Sequence, residues 1–137
     1  MNSNQSGSAS LVKLAVVLAV CGILAFAVTL LPKGFKSDLS LIGQGSPSVV
    51  LVHDKNLVNS VTMMELLNEV RSDYEGDIVF LAVDIATPKG QSFSQEQRAR
   101  PVDLVIFGPH GKKQQVLDAN LNEQELRSIL DDTLNKA

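Results

Sequence analysis

The sequence predicts an α/β fold, a mixed β-sheet flanked by helices and preceded by one transmembrane helix. Three observations carry that expectation. Leu14 to Leu31 is an 18-residue run without a charged side chain. Behind it, two short apolar strand patterns bracket a helical stripe, the signature of a β-α-β unit. The chain then closes with a hairpin pattern around Gly108-Pro109-His110-Gly111 and an amphipathic helix.

The chain has 137 residues, enough for one compact core and an appendage. All 15 acidic residues, but only nine of the 12 basic ones, lie at or after Asp38, so that part carries −6 and the preceding part +3. An acidic domain without a basic cluster argues against nucleic acid as a partner, because such binding depends on phosphate neutralisation. It also disfavours a domain lying flat on anionic lipid. The one cysteine, Cys21, sits in the apolar run. The domain therefore has no thiol for a disulfide, for nucleophilic catalysis or for a metal. No cofactor motif and no phosphate-cradling glycine loop is present.

At about 1.5 Å per residue the apolar run reaches about 27 Å, close to the thickness of a bilayer core. Three readings compete for it. Ala25-Phe26-Ala27 fits a signal-peptidase site, but further apolar residues would follow the cut. Leu18-Ala19-Val20-Cys21 resembles a lipoprotein box with a poorly fitting valine. An uncleaved signal anchor over 11–31 is preferred, after a polar tail (1–10) and before a Ser/Gly-rich linker (32–46). Lys13 and the terminal amine balance Lys33 and Lys36, so the positive-inside count is tied. A short polar tail ahead of a first apolar segment usually stays in the cytoplasm. The expected topology is a single pass in a bacterial inner membrane with the domain in the periplasm.

The domain is expected over 47–137. Val49 to Val52 reads as a strand buried on both faces. Asp54 to Ser60 is polar and turn-like. From Val61 to Tyr74, Met63, Leu66, Leu67, Val70 and Tyr74 form a helical stripe, with Thr62 and Glu65 as a capping box or Ser60 as the cap. Ile78 to Val83 is a second buried strand, and Ser94 to Arg98 a short helix. Leu104 to Phe107 and Gln114 to Leu117 form the hairpin. Asn122 with Glu125 opens the last helix, whose stripe is Leu126, Ile129, Leu130 and Leu134.

In this order and spacing the chain resembles the thioredoxin family over roughly Ser48 to Leu134. VLVHDKNLVNSVTMMELLNEVRSDYEG, from Val50, is similar without a gap to the family's central strand, active-site turn and long helix. IVFLAVD resembles the next strand, and LVIFGPHGKK the closing hairpin. The resemblance implies a thioredoxin-like fold, and its departures imply loss of redox function. Where the family has Cys-x-x-Cys, this chain has Leu57-Val58-Asn59-Ser60. Leu57 carries no nucleophile, and the Ser60 hydroxyl does not exchange with disulfides. The family's buried acid falls at Leu51 and its tryptophan at Asn56. Its cis-proline falls at Pro101 or, with the following strand shifted by one, at Val102.

The residues expected to bind a partner are thus Leu57, Val58, Asn59, Ser60, Pro101 and Val102, in a membrane-tethered protein-binding or assembly module that is not an enzyme. Exposed apolar side chains at the old active-site turn motivate it. An accessory role in a thiol-disulfide pathway is one alternative. Another is a non-redox enzyme using His53, Asp54 and Ser60, which would have to converge. A polar strand end is the simpler reading of His53 and Asp54, and a turn residue that of His110. Lys112 and Lys113 read as edge-strand solvation.

Overall fold

The computed structural model describes residues 6–29, 34–118 and 120–137. The chain divides into two compact units, 1–33 and 34–137. The first holds α1, Ser6–Thr29. It is long and apolar enough to cross a membrane, and its described side chains are all exposed. The helix begins ahead of the expected 11, within the expected tail. Residues 30–33, where Pro32 was expected to stop it, lie outside the described set.

The second unit contains β1 (Ser48–His53), α2 (Val58–Val70), β2 (Val79–Asp84), α3 (Pro88–Gln97), β3 (Leu104–Phe107), β4 (Lys113–Leu117) and α4 (Glu123–Asn135). The sheet order is β2-β1-β3-β4, with β1 parallel to β2 and antiparallel to β3. This is the expected mixed sheet. Side chains alternate across each strand, so β1 feeds two cores. Val49 and Leu51 join Met63, Leu67, Leu126 and Leu130 beneath α2 and α4. Val50 and Val52 join Leu81, Val83, Phe93 and Phe107 beneath α3. Complete burial of one such side chain stabilises by about 1.5–3 kcal/mol.

Several boundaries differ from expectation for identifiable reasons. The expected linker 32–46 belongs to the globular unit from Gly34 on. Lys36 forms a parallel bridge with Leu81, its carbonyl accepting the Ala82 N–H at 3.0 Å. Leu39, Leu41 and Ile42 pack against the α3-side core. A Cβ on Gly43 would stand 3.1 Å from the Gly111 Cα, so two glycines let the strap meet the hairpin turn. The low apolar density of 34–46 concealed these contacts. β2 is the edge strand beside β1; Leu81 and Val83 are fully buried, while Val79, Phe80 and Ala82 are partly buried against the two cores. α3 starts at Pro88, six residues before the expected Ser94. Thr87 caps it by accepting the Gly90 N–H at 3.1 Å, and Pro88 stands at the first position, where its missing N–H costs nothing.

After α2 the chain tightens into a 3-10 turn, Arg71–Tyr74. Its Tyr74 is 7% exposed and donates its hydroxyl to Asp131 Oδ1 of α4 at 2.8 Å. α4 has the expected capping box, Asn122 Oδ1 accepting from Glu125 N while the Glu125 carboxylate accepts from Asn122 N.

Gly90→Ala is expected to destabilise the globular unit by about 2–3 kcal/mol in denaturant titration, because the new Cβ would collide with the Asp84 carbonyl oxygen. Burial and then the Asp131 carboxylate push the Tyr74 hydroxyl above its ordinary pKa of about 10. With the folded pKa above the unfolded one, its contribution is complete below the unfolded value and disappears as pH rises through the folded one. The chain has one tyrosine, so tyrosinate absorbance reports it directly. It should ionise above the free-tyrosine range, with alkaline unfolding following. Ionisation at the free value would contradict this.

Candidate functional site

β1 ends at His53, and the strand register sets it beside Asp84 of β2. The chain then turns: Leu57 N donates to the Asp54 carbonyl at 3.0 Å. The Asp54 carboxylate accepts from Asn56 N at 2.9 Å and from Asn56 Nδ2 at 3.1 Å. α2 begins at Val58, three residues before the expected Val61, with Leu57 as its N-cap. Leu57 has the extended backbone of a cap (φ −103°, ψ 121°) and a side chain that accepts nothing. Neither expected cap performs that role. Thr62 lies within the helix and donates its hydroxyl back to the Val58 carbonyl at 3.2 Å.

Ser60 lies in the first turn of α2 and is fully buried. Its Oγ accepts the Asp54 N–H at 2.9 Å and lies 2.8 Å from His53 Nδ1. A hydroxyl has one proton. That proton and the second lone pair are both left for the His53 ring, and the tautomer of the ring sets the direction of the bond. Ser60 therefore ties the start of α2 to the end of β1. His53 and Ser60 converge as the enzyme alternative requires, whereas the Asp54 carboxylate is turned to Asn56 and takes no part.

Exposure separates the six expected binding residues. Leu57 is 41% exposed and Val58 80%, with Val61, one turn further on, at 42%. Asn59 and Pro101 are exposed too. Ser60 and Val102 are buried and offer a partner no surface.

The second segment is a tight turn. Asp103 N donates to the Arg100 carbonyl at 3.1 Å, Pro101 holds the second position, and Val102 has φ +80°. A proline followed by positive φ defines a type II turn, whose third position normally requires glycine. The turn bulges against β1: Val102 N donates to the Val52 carbonyl at 2.7 Å, and Val52 N to the Asp103 carbonyl at 3.1 Å. A β-branched residue in that region costs on the order of 1–3 kcal/mol. Compensation comes from Val102 packing in the α2-side core and from the buried Asp103, which accepts the Arg100 N–H at 2.8 Å. No cis peptide occurs among the described residues. Pro101 stands at the second turn position, where the proline is trans; Val102 takes the third, so the family's cis-proline has no counterpart at either. No group of three potential metal ligands occurs among the described residues.

The uncapped helix start and the strained turn leave little trace in the sequence. Val58-Asn59-Ser60 has poor helix formers, which disguised the first turn of α2. Pro101 in second position was the available sign of the type II turn, masked by the valine after it.

Ser60→Ala leaves the Asp54 amide without its acceptor and is expected to cost about 1–3 kcal/mol. Amide exchange at Asp54 should accelerate on the same substitution. Unchanged exchange there would contradict the clamp.

No protein-family model and no curated protein sequence matches the chain. Solved structures do. An uncharacterised thioredoxin-like protein from Clostridium perfringens superposes with a TM-score of 0.62 at 18% identity, covering 71% of this chain and 78% of its own. A thioredoxin from Thermus thermophilus gives 0.63 at 18% identity, covering 74% and 87%. The globular unit is similar to these proteins in its mixed sheet and helices, and its fold is thioredoxin-like.

Proposed function

We propose that α1 anchors the chain in a membrane and that the globular unit is a redox-inactive, protein-binding module of a membrane or envelope complex. The domain would stand on the periplasmic side of a bacterial inner membrane, the side that the polar residues ahead of Leu11 favour. The observation that carries the reading is the start of α2. A helix N-terminus leaves backbone N–H groups that a Ser, Thr, Asp or Asn cap satisfies, and replacing such a cap with an apolar residue costs about 1 kcal/mol. Here the cap is Leu57, followed by the far more exposed Val58 and by Val61 one turn on. The sequence forgoes helix stability to present apolar surface, which fits a surface that a partner covers.

In this reading Leu57, Val58 and Asn59 touch the partner, with Pro101 as a second contact. Ser60 and Val102 act from within, by holding those residues in place. Redox exchange is disfavoured because Leu57 holds the position that needs a thiolate. An accessory role in thiol-disulfide chemistry would rest entirely on cysteines supplied by the partner. The His53–Ser60 pair gives the hydrolytic alternative its best support, yet the buried Ser60 oxygen already accepts an amide proton and has no open face towards a substrate.

Leu57→Asp separates binding from folding because it moves the two in opposite directions. It is expected to raise the unfolding free energy by about 1 kcal/mol through capping and the helix dipole. The same substitution should abolish partner capture from the native membrane. Leu57→Ser provides a cap without charge and should show the same two signs. Capture that persists in both variants would move the function to another surface.

A further inference from the structure

The clamp at the start of α2 includes a titratable side chain. His53 is half-buried, so its ring reaches solvent protons, whereas Ser60 is fully buried and reaches none. Among the described residues Ser60 Oγ has two partners, the Asp54 N–H at 2.9 Å and His53 Nδ1 at 2.8 Å. With the ring proton on Nε2, Nδ1 accepts the Ser60 proton and every group in the clamp is satisfied. A charged ring carries a proton on each nitrogen. Its Nδ1–H then donates to an oxygen that already takes the amide, and the Ser60 proton has no acceptor in a place closed to water. A buried donor left without a partner is costly. A neutral ring with its proton on Nδ1 has the same defect, so the Nε2–H form suits the clamp best.

The surroundings add a second penalty and an alternative partner. α2 begins at Val58, so a charged ring held by Ser60 stands at the positive end of the helix dipole. On β2, Asp84 lies in register with His53, on the same face of the sheet and about 5 Å away across the ladder. Its carboxylate accepts the Ala86 N–H at 2.8 Å and has capacity for a further donor. Asp54 and the exposed Lys55 follow His53 in the chain, the Asp54 carboxylate being held by Asn56. In the turn bonded to Val52, Arg100 is paired with the buried Asp103. We infer that His53 is a pH-operated catch on the first turn of α2. The neutral ring holds Ser60; the charged ring releases it and turns to Asp84, and residues 54–61 loosen. The order of the Leu57–Val58 surface therefore falls as pH falls, whatever that surface binds.

The test is nitrogen NMR of isotope-labelled histidine in the full chain in detergent, from about pH 8 to about pH 5, the interval in which imidazoles change charge. His110, exposed in the hairpin turn, is the internal reference. At the alkaline end the His53 ring should be protonated on Nε2 and bare on Nδ1. As it takes its second proton, protection of the Asp54 amide, corrected for the intrinsic pH dependence of exchange, should fall about tenfold, the effect of one lost buried hydrogen bond. His53→Asn offers an acceptor near the Nδ1 position without a charge to gain, and should keep that protection across the interval. Aspartates titrate below it and do not contribute. A ring protonated on Nδ1 at the alkaline end would overturn the catch, as would a ring that stays neutral throughout. Asp54 protection that is indifferent to the charge on the ring, or that is lost equally in His53→Asn, would overturn it too.

Discussion

The globular unit depends on β1. Among the described strands it alone pairs parallel on one side and antiparallel on the other, and its alternating side chains reach into both cores. Everything that concerns the candidate site leaves from its C-terminal end. The polypeptide has to turn there from an extended strand into a helix, and the Ser60 hydroxyl makes that turn specific by bonding to the backbone of Asp54 and the ring of His53 at once. A buried hydroxyl with two partners locks two elements together, where one left unsatisfied would cost stability. The type II turn at 100–103 braces the same end, through the two hydrogen bonds that link it to Val52.

This arrangement separates rigid support from exposed surface. The residues that fix the geometry, Ser60, Val102 and Asp103, are buried. Those facing outward from the same end, Leu57, Val58 and Pro101, make no side-chain hydrogen bond. Backbone strain at Val102 and the missing cap at Leu57 are both local costs, and they occur together at this one end of the sheet. Costs of this kind cluster where a surface is shaped for a use other than stability.

Much of this was legible in the sequence. Continuous apolar runs identified β1 and β3, because a strand covered on both faces has no polar side to show. Asn122 and Glu125 announced α4 through the reciprocal hydrogen bonds they make. The strap at 34–46 was illegible: one backbone bridge, a cation over Phe35 and two facing glycines leave no periodic trace. α2 was read three residues short, since its first turn is stabilised by tertiary contacts of Ser60 and not by propensity. Among the six expected binding residues, exposed Leu57 and Val58 are not separable from buried Ser60 and Val102 by residue type or spacing, because that division follows from the direction in which each side chain leaves the turn.

The proposed role requires that the start of α2 be a covered surface in the working protein. Amide hydrogen exchange of the full chain in its native membrane, compared with the purified chain in detergent, tests it most directly. Added protection is expected in the native membrane at residues 57–61, with the interior of the sheet unchanged. Equal exchange at 57–61 in the two preparations, or added protection confined to α4 or the β3–β4 turn, would contradict it.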